Sequence, residues 1–266
     1  MDSSRRWTYS QRMRSEDQDN ASVVPGQLEF VVTAYNSEDT IEACVRALLA
    51  VKRASRVTVI NDSSRDRTRE ILAAIDNERL RVLNVEFRSR AKTSNLGFRN
   101  TDAEFVCSVD SDVLFVNDRF EKLLPLLDTY PLLMLTEDST DTSPRRIGWD
   151  QEFAEPRNAF LFSRRHLPRL QFSELYPKAG AEDTDIAIRL LKAGVPLAAV
   201  YGGYAHERVK GPMGWGRRVH FHVWNVITYL RHLDVPMCRR RLLEIARHPV
   251  RRTVRSVKQE LGKINT

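Results

Sequence analysis

The sequence predicts an α/β fold, a Rossmann-like and mainly parallel central sheet flanked by helices, with a helical C-terminal extension. Three observations point there. Apolar, β-branched runs alternate with helix-like segments from residue 28 to residue 110, and polar turns join each run to the segment after it. The composition, 42% hydrophobic and 29% charged over 266 residues, is that of a globular chain able to build a substantial core.

Taken in order, residues 1–26 are rich in Ser, Arg, Asp, Glu and Gln, lack a hydrophobic period and end at Pro25-Gly26, so they read as a flexible arm. Leu28 to Thr33 reads as the first strand, and Ser37 to Ala50 as an amphipathic helix with Ser37 as its N-cap. Val57 to Ile60 is a short β-branched strand, followed by the turn Asn61-Asp62-Ser63-Ser64 and a helix from Arg65 to Ile75. Leu80 to Phe87 suits a third strand, residues 91–100 a helix, and Phe105 to Val109 a fourth strand running into Asp110.

The second half is less regular. It offers a helix near 117–129, apolar stretches at 131–136 and 157–163, a helix over 182–194 closed by Gly194, and a strand from Leu197 to Tyr201. Residues 207–216 hold three Gly and a Pro and read as a mobile loop, with the chain from Arg217 onward helical. The domain reading is therefore an arm over 1–26, a catalytic domain over 27–216 and a basic helical extension over 217–266.

In such sheets the ligand crevice lies at the carboxyl ends of the strands. The loops Thr33 to Ser37, Asn61 to Arg65 and Asp110 to Asp112 all fall there. Asp110 and Asp112, one residue apart at the end of a buried strand, can converge on a hard divalent ion through oxygen ligands, and such an ion could hold a diphosphate.

The motifs resemble those of the large inverting family 2 of GT-A glycosyltransferases. Thr33-Ala34-Tyr35-Asn36 matches the end of that family's first strand, and Asn61-Asp62-Ser63-Ser64-Arg65-Asp66-Arg67-Thr68 its Asp-rich turn. Asn95-Leu96-Gly97, Ala103-Glu104-Phe105 and Asp110-Ser111-Asp112 follow in the family's order, and Glu182-Asp183-Thr184-Asp185-Ile186 with Arg189-Leu190 matches its late acidic helix. One departure stands out: the family's Arg immediately before the Asn is Ser94 here, which leaves Lys92 as the nearest cation to that motif.

The resemblance implies a donor that is a nucleoside-diphosphate sugar, a UDP-sugar being favoured, and Mn2+ or Mg2+ as the cofactor. By the same resemblance Thr33, Tyr35, Asn36, Asp62, Lys92, Asn95, Asp110 and Ser111 contact the donor; Asp110, Asp112 and His206 hold the metal; Asp183 is the general base and Glu182 contacts acceptor or donor hydroxyls. Position at a helix N-terminus favours the ionised form a base requires. Asp185 has Arg189 four residues on and reads as a structural ion pair. His220 and His222, two apart on a helix, point away from each other and are read as incidental.

Nine Arg and Lys against two Glu between residues 237 and 266 account for the whole formal charge of +7. With apolar residues from Leu242 to Leu261 among the cations, this tail suits peripheral contact with an anionic membrane, in keeping with a glycan or lipid-linked acceptor. Packing of the tail on its own domain is the plainer expectation, and a polyanionic acceptor such as modified DNA, or a non-catalytic nucleotide-sugar-binding protein, are the alternatives. A sugar nucleotidyltransferase needs an early Gly-rich phosphate loop, and residues 28–41 contain no Gly. Three well-separated cysteines, no run approaching the ~18 apolar residues of a membrane span and no apolar leader segment lead to the expectation of a cytoplasmic protein, peripheral at a membrane's inner face.

Overall fold

The structure is a computed structural model and describes residues 23–137, 142–148, 158–176, 181–206 and 215–232. Residues 1–22 of the expected arm over 1–26, residues 207–214 of the expected loop over 207–216 and the basic tail over 237–266 lie outside the described residues; a strand already begins at Val24 within the arm and a helix at Trp215 within the loop. The chain divides into two compact units, Met1–Gly211 and Pro212–Thr266.

The first unit is built on an eight-stranded sheet of order β3-β2-β1-β4-β8-β6-β9-β7. Its strands are β1 (Val24–Ala34), β2 (Ala54–Asp62), β3 (Leu80–Val85), β4 (Ala103–Asp110), β6 (Leu132–Thr136), β7 (Arg145–Ile147), β8 (Ala159–Ser163) and β9 (Leu197–Tyr201). β3, β2, β1 and β4 are mutually parallel, and α1 (Ile41–Ala50), α2 (Thr68–Ala73) and α3 (Arg90–Arg99) make the crossovers between them. β8 and β7 run antiparallel to their neighbours, so the sheet is mainly parallel as expected.

Central position explains the unbroken apolar run of β1. Leu28, Phe30, Val31 and Val32 are fully buried because helices cover both faces of a parallel sheet. On one face Phe30 meets Phe115 and Phe120 edge-on. Phe98 of α3 gathers Phe160, Phe162 and Phe172 on the other side of the sheet's second half.

Strand order reverses direction between β1 and β4, and this reversal opens the crevice at their carboxyl ends. Register sets Thr33 directly across from Asp110 there. Beyond Asp110 the chain turns through Ser111 and Asp112 into β5 (Val113–Phe115), which pairs antiparallel with β10 (Tyr204–His206) as a separate two-stranded sheet.

Several expectations needed correction. Helix α1 starts at Ile41, after a turn in which the Ser37 carbonyl accepts the N–H groups of Thr40 and Ile41, so Ser37 lies outside the helix and its side chain does not cap it. The helix expected near 117–129 is one turn, α4 (Phe120–Leu123), continued as 3₁₀ helix over Leu124–Asp128 with Pro125 near its start. β5, β7 and β10 were not anticipated; three residues are too few to show a period. The late helix α5 (Glu182–Lys192) ends as expected at Gly194, whose positive φ of 77° suits glycine. In the second unit α6 spans Trp215–Arg231, and no helix of the described residues is long and apolar enough to cross a membrane.

Candidate active site

Two polar loops, following β1 and β2, are sewn together at the sheet's carboxyl edge. The Asn36 N–H donates to Ser64 Oγ (2.9 Å) and its Oδ1 accepts from the Arg65 N–H (2.8 Å). Ser37 N–H donates to Thr68 Oγ1, and Glu38 and Asp66 exchange similar bonds with the opposite loop. Asn36 holds a left-handed backbone, φ 48°, that Asn tolerates better than most residues. Its side chain is thus spent on fixing the loop, which leaves Tyr35 standing 59% exposed at the edge of the crevice.

The same loop reaches the acidic turn. Ser37 Oγ lies 2.7 Å from Ser111 Oγ, and the Cys44 thiol approaches the Asp110 carbonyl at 3.7 Å. Burial, and then the neighbouring Asp112 and Asp110 carboxylates, push the Cys44 thiol far up, which keeps it a neutral packing group.

Asp62 is 6% exposed and fully engaged. Oδ1 accepts from the Arg88 N–H and Ser63 Oγ, and Oδ2 from the Ser89 N–H and Thr93 Oγ1, at 2.8 to 3.0 Å. Burial alone would raise this carboxyl; the four donors outweigh it and hold it below the ordinary value. Its carboxylate therefore anchors the N-terminus of α3 to the end of β2.

That anchoring aims Arg90, the first residue of α3. One Arg90 Nη lies 2.6 Å from Asp110 Oδ1, and Nε lies 3.5 Å from Glu182 Oε1. Asp110 foremost, then Glu182, Asp183 and Asp112, hold the guanidinium more firmly protonated than usual. The cation facing the acidic turn is therefore Arg90 and not Lys92, which is exposed two residues further along the helix. A separation of two residues turns a side chain about 200° around the helix, so both cannot face the turn.

Glu182 and Asp183 open α5 as expected. Glu182 is only 3% exposed, and Asp183 Oδ1 accepts the Thr184 N–H at 2.8 Å. Asp185 pairs with Arg189 at 2.8 Å and accepts from the Tyr176 hydroxyl. Asn95 is 2% exposed and its amide is committed elsewhere: Nδ2 donates to the Phe172 carbonyl and Glu174 Oε1, and Oδ1 accepts the Phe172 N–H. Its bonds go to the segment before α5, not outward to the crevice.

The acidic turn fits a hard divalent cation. Asp110 and Asp112 offer oxygen donors, and Mg2+ or Mn2+ bound with a nucleotide takes one or two carboxylates, completing its shell with phosphate and water. The turn already attracts a positive group, the Arg90 guanidinium. Among the described residues no group of three or more His, Cys, Asp or Glu is arranged to hold a metal ion. The His206 backbone pairs with Val113, adjacent to Asp112, and its side chain lies outside the described residues.

Known proteins share this framework. The chain is 32% identical over 101 residues to the succinoglycan biosynthesis protein ExoO of Rhizobium meliloti, covering 37% of this chain and 29% of that relative. The chain thus spans less than a third of that curated relative. Residues 1–349 of S. aureus TarS superpose with a TM-score of 0.59 at 16% identity, over 83% of this chain and 73% of that one. The mannosyltransferase PcManGT of Pyrobaculum calidifontis does so with a TM-score of 0.60 at 16% identity, over 94% and 85%. Both structural matches carry the same mainly parallel sheet with flanking helices. Residues 29–189, the stretch holding Thr33, Arg90, Asp110 and Glu182, match the model of glycosyl transferase family 2, and the chain belongs to that family.

Proposed function

We propose that this chain is a metal-dependent, inverting glycosyltransferase that moves a sugar from a nucleoside-diphosphate sugar to an acceptor hydroxyl on a glycan or lipid-linked glycan. The observation that carries the reading is the bridge from Arg90 to Asp110 and Glu182, which gathers the carboxyl end of β4 and the N-termini of α3 and α5 into one charged cleft. A cation beside two carboxylates is suited to a leaving diphosphate, because interactions that strengthen as negative charge develops lower the barrier.

In this reading Asp110 and Asp112 hold Mn2+ or Mg2+, which supplies positive charge to the diphosphate. Arg90 adds a planar donor fork to the same oxygens. Asp183 takes the proton from the acceptor hydroxyl as that oxygen bonds to the anomeric carbon, while the bond from that carbon to the diphosphate oxygen breaks on the opposite face. Glu182 holds Arg90 and faces sugar hydroxyls. Tyr35 offers an exposed ring on which a base can stack, with Thr33 and Ser111 lining the approach.

A UDP-sugar is favoured, and related structures support the choice of donor and metal: TarS was determined with UDP and with UDP-GlcNAc, and PcManGT with GDP-Man and Mn2+. The test is thermal stabilisation by UDP, GDP, dTDP and CMP, each with and without Mn2+, on wild type and on Asp110→Ala/Asp112→Ala. Ligand at about 100 times its Kd adds about 2.7 kcal/mol. Metal-dependent stabilisation by one nucleotide that vanishes in the variant is expected; a folded protein indifferent to all four would overturn the reading.

A further inference from the structure

The loops that follow β1, β2 and β4 at the carboxyl edge of the sheet meet on one residue, Ser37. Its N–H donates to Thr68 Oγ1 at 2.8 Å, at the start of α2, and its Oγ lies 2.7 Å from Ser111 Oγ in the acidic turn. Thr68 is 0% exposed and Ser37 8%, so these bonds are made largely out of contact with water. A Ser whose carbonyl accepts the first N–H of a helix ordinarily offers its hydroxyl oxygen to another N–H of that turn. The Ser37 carbonyl does accept the Ile41 N–H, at 2.9 Å, yet its hydroxyl goes to Ser111 and the Tyr35 carbonyl instead.

A serine hydroxyl has one hydrogen to give. Ser37 Oγ donates to the Tyr35 carbonyl at 3.3 Å, so the shorter bond is donated by Ser111. The chain of bonds therefore runs from the acidic turn through Ser37 to the backbone of Tyr35, the residue whose ring stands open at the crevice. Elsewhere the turn is fixed through its backbone: the Asp110 N–H donates to the Asn158 carbonyl at 2.7 Å, and the Asp110 carbonyl receives the Cys44 thiol at 3.7 Å. The Ser37–Ser111 bond adds a side-chain tie between the turn and the loop that carries Tyr35.

We propose that Ser37 is a positioning residue for the donor. By holding Ser111 it sets the separation between Tyr35, on the nucleoside side, and Asp110 and Asp112, on the diphosphate side, so that metal and nucleotide strengthen each other's binding. The proposal rests on the metal-dependent reading above and names the side chain that couples its two halves. Such coupling is a ratio of affinities, the same ratio seen from either ligand. In this role Ser37 touches neither metal nor nucleotide and acts through Ser111.

The experiment is titration calorimetry of UDP and of GDP, each with and without Mn2+, on wild type, Ser37→Ala, Ser111→Ala and the double variant. Ser37→Ala keeps the backbone bonds to Thr68, Thr40 and Ile41, so its melting temperature should stay close to that of wild type. Expected is a fall of about three- to ten-fold, the range one hydrogen bond supplies, in the factor by which Mn2+ tightens nucleotide binding, with metal-free affinity unchanged. Because Ser37 acts through Ser111, the double variant should lose no more than Ser111→Ala alone. An unchanged Mn2+ factor in Ser37→Ala, or losses that add in the double variant, would overturn the proposal. Wild type that binds neither nucleotide more tightly with Mn2+ would overturn the metal-dependent reading itself and this proposal with it, a failure visible before any variant is made.

Discussion

The Arg90 guanidinium sits 2.6 Å from Asp110 Oδ1, joining the first residue of α3 to the last residue of β4. Because its Nε also faces the buried Glu182, removing Arg90 leaves a carboxylate with 3% exposure short of a compensating charge. Arg90→Ala is expected to cost about 1–3 kcal/mol of stability, the lower end applying because Arg90 itself is partly exposed. Turnover should fall about 100-fold or more if the guanidinium serves the leaving diphosphate. Arg90→Lys keeps the charge but not the fork, and should recover stability better than turnover. Urea midpoints and donor turnover on the three proteins check this; equal losses in both quantities for Lys and Ala would sink the role.

Asn95 should behave as a strut and not as a donor ligand. Asn95→Ala strips the buried Phe172 backbone of both its side-chain partners, a cost of about 2–4 kcal/mol. Amide hydrogen exchange should accelerate at Phe172 and into α5, because Arg189 ties the adjacent Gln171 carbonyl to Asp185. Nucleotide affinity in the presence of Mn2+ should stay within about two-fold of wild type. A large fall in affinity with exchange unchanged would return Asn95 to the donor site.

The four parallel strands and their three crossovers were legible because β1, β2 and β4 bury apolar residues on both faces and each of the first three strands is followed by a helix-like segment. The acidic turn and the opening of α5 were legible too, since Asp110, Asp112, Glu182 and Asp183 sit where those elements begin or end. Arg90 was missed. The motif marks the position before Asn95, which is Ser94, whereas the crevice is reached from the first turn of α3, four residues before Ser94. The signal available was Ser89, a residue suited to an N-cap, which marks Arg90 as the start of a helix at the edge where the sheet reverses. The commitment of Asn36, Asp62 and Asn95 to loop and helix anchoring was not legible, because it depends on contacts made across 26 to 79 residues of chain.

Gly97 is needed for the approach of α3 to β1. A Cβ there would sit 2.2 Å from Val31 Cγ1 and 3.4 Å from Ile60 Cγ1. Alanine favours helix over glycine by about 1 kcal/mol, but forcing a methyl into packed core costs about 1–3 kcal/mol and the overlap here is severe. Gly97→Ala should therefore destabilise despite its better propensity. Val31→Ala in the same chain makes room for the new methyl, so a double-mutant cycle should show the two changes coupled favourably by about 1 kcal/mol or more. Strict additivity would mean that α3 shifts away from the sheet instead.

The pH dependence of stability separates two buried acids of opposite sign. The Asp62 carboxyl titrates below its ordinary 3.8, since its four hydrogen-bond donors outweigh burial. A depressed folded pKa contributes stability that is present above the unfolded value and is lost as pH falls through the folded one. Asp62→Asn should therefore cost about 1–3 kcal/mol at neutral pH, with the gap to wild type narrowing only below about pH 4. Glu29 is raised above its ordinary 4.5 by burial, with Arg56 opposing at 3.9 Å. Its protonated form suits the fold better, so the stability linked to it is fully present below about pH 4.5 and declines as pH rises through the folded value. Glu29→Gln should be neutral or stabilising at pH 7 and lose that advantage in acid. Urea midpoints from pH 3 to pH 8 test both; parallel curves for wild type and Asp62→Asn throughout would mean that the carboxylate's charge plays no part in holding α3 to β2.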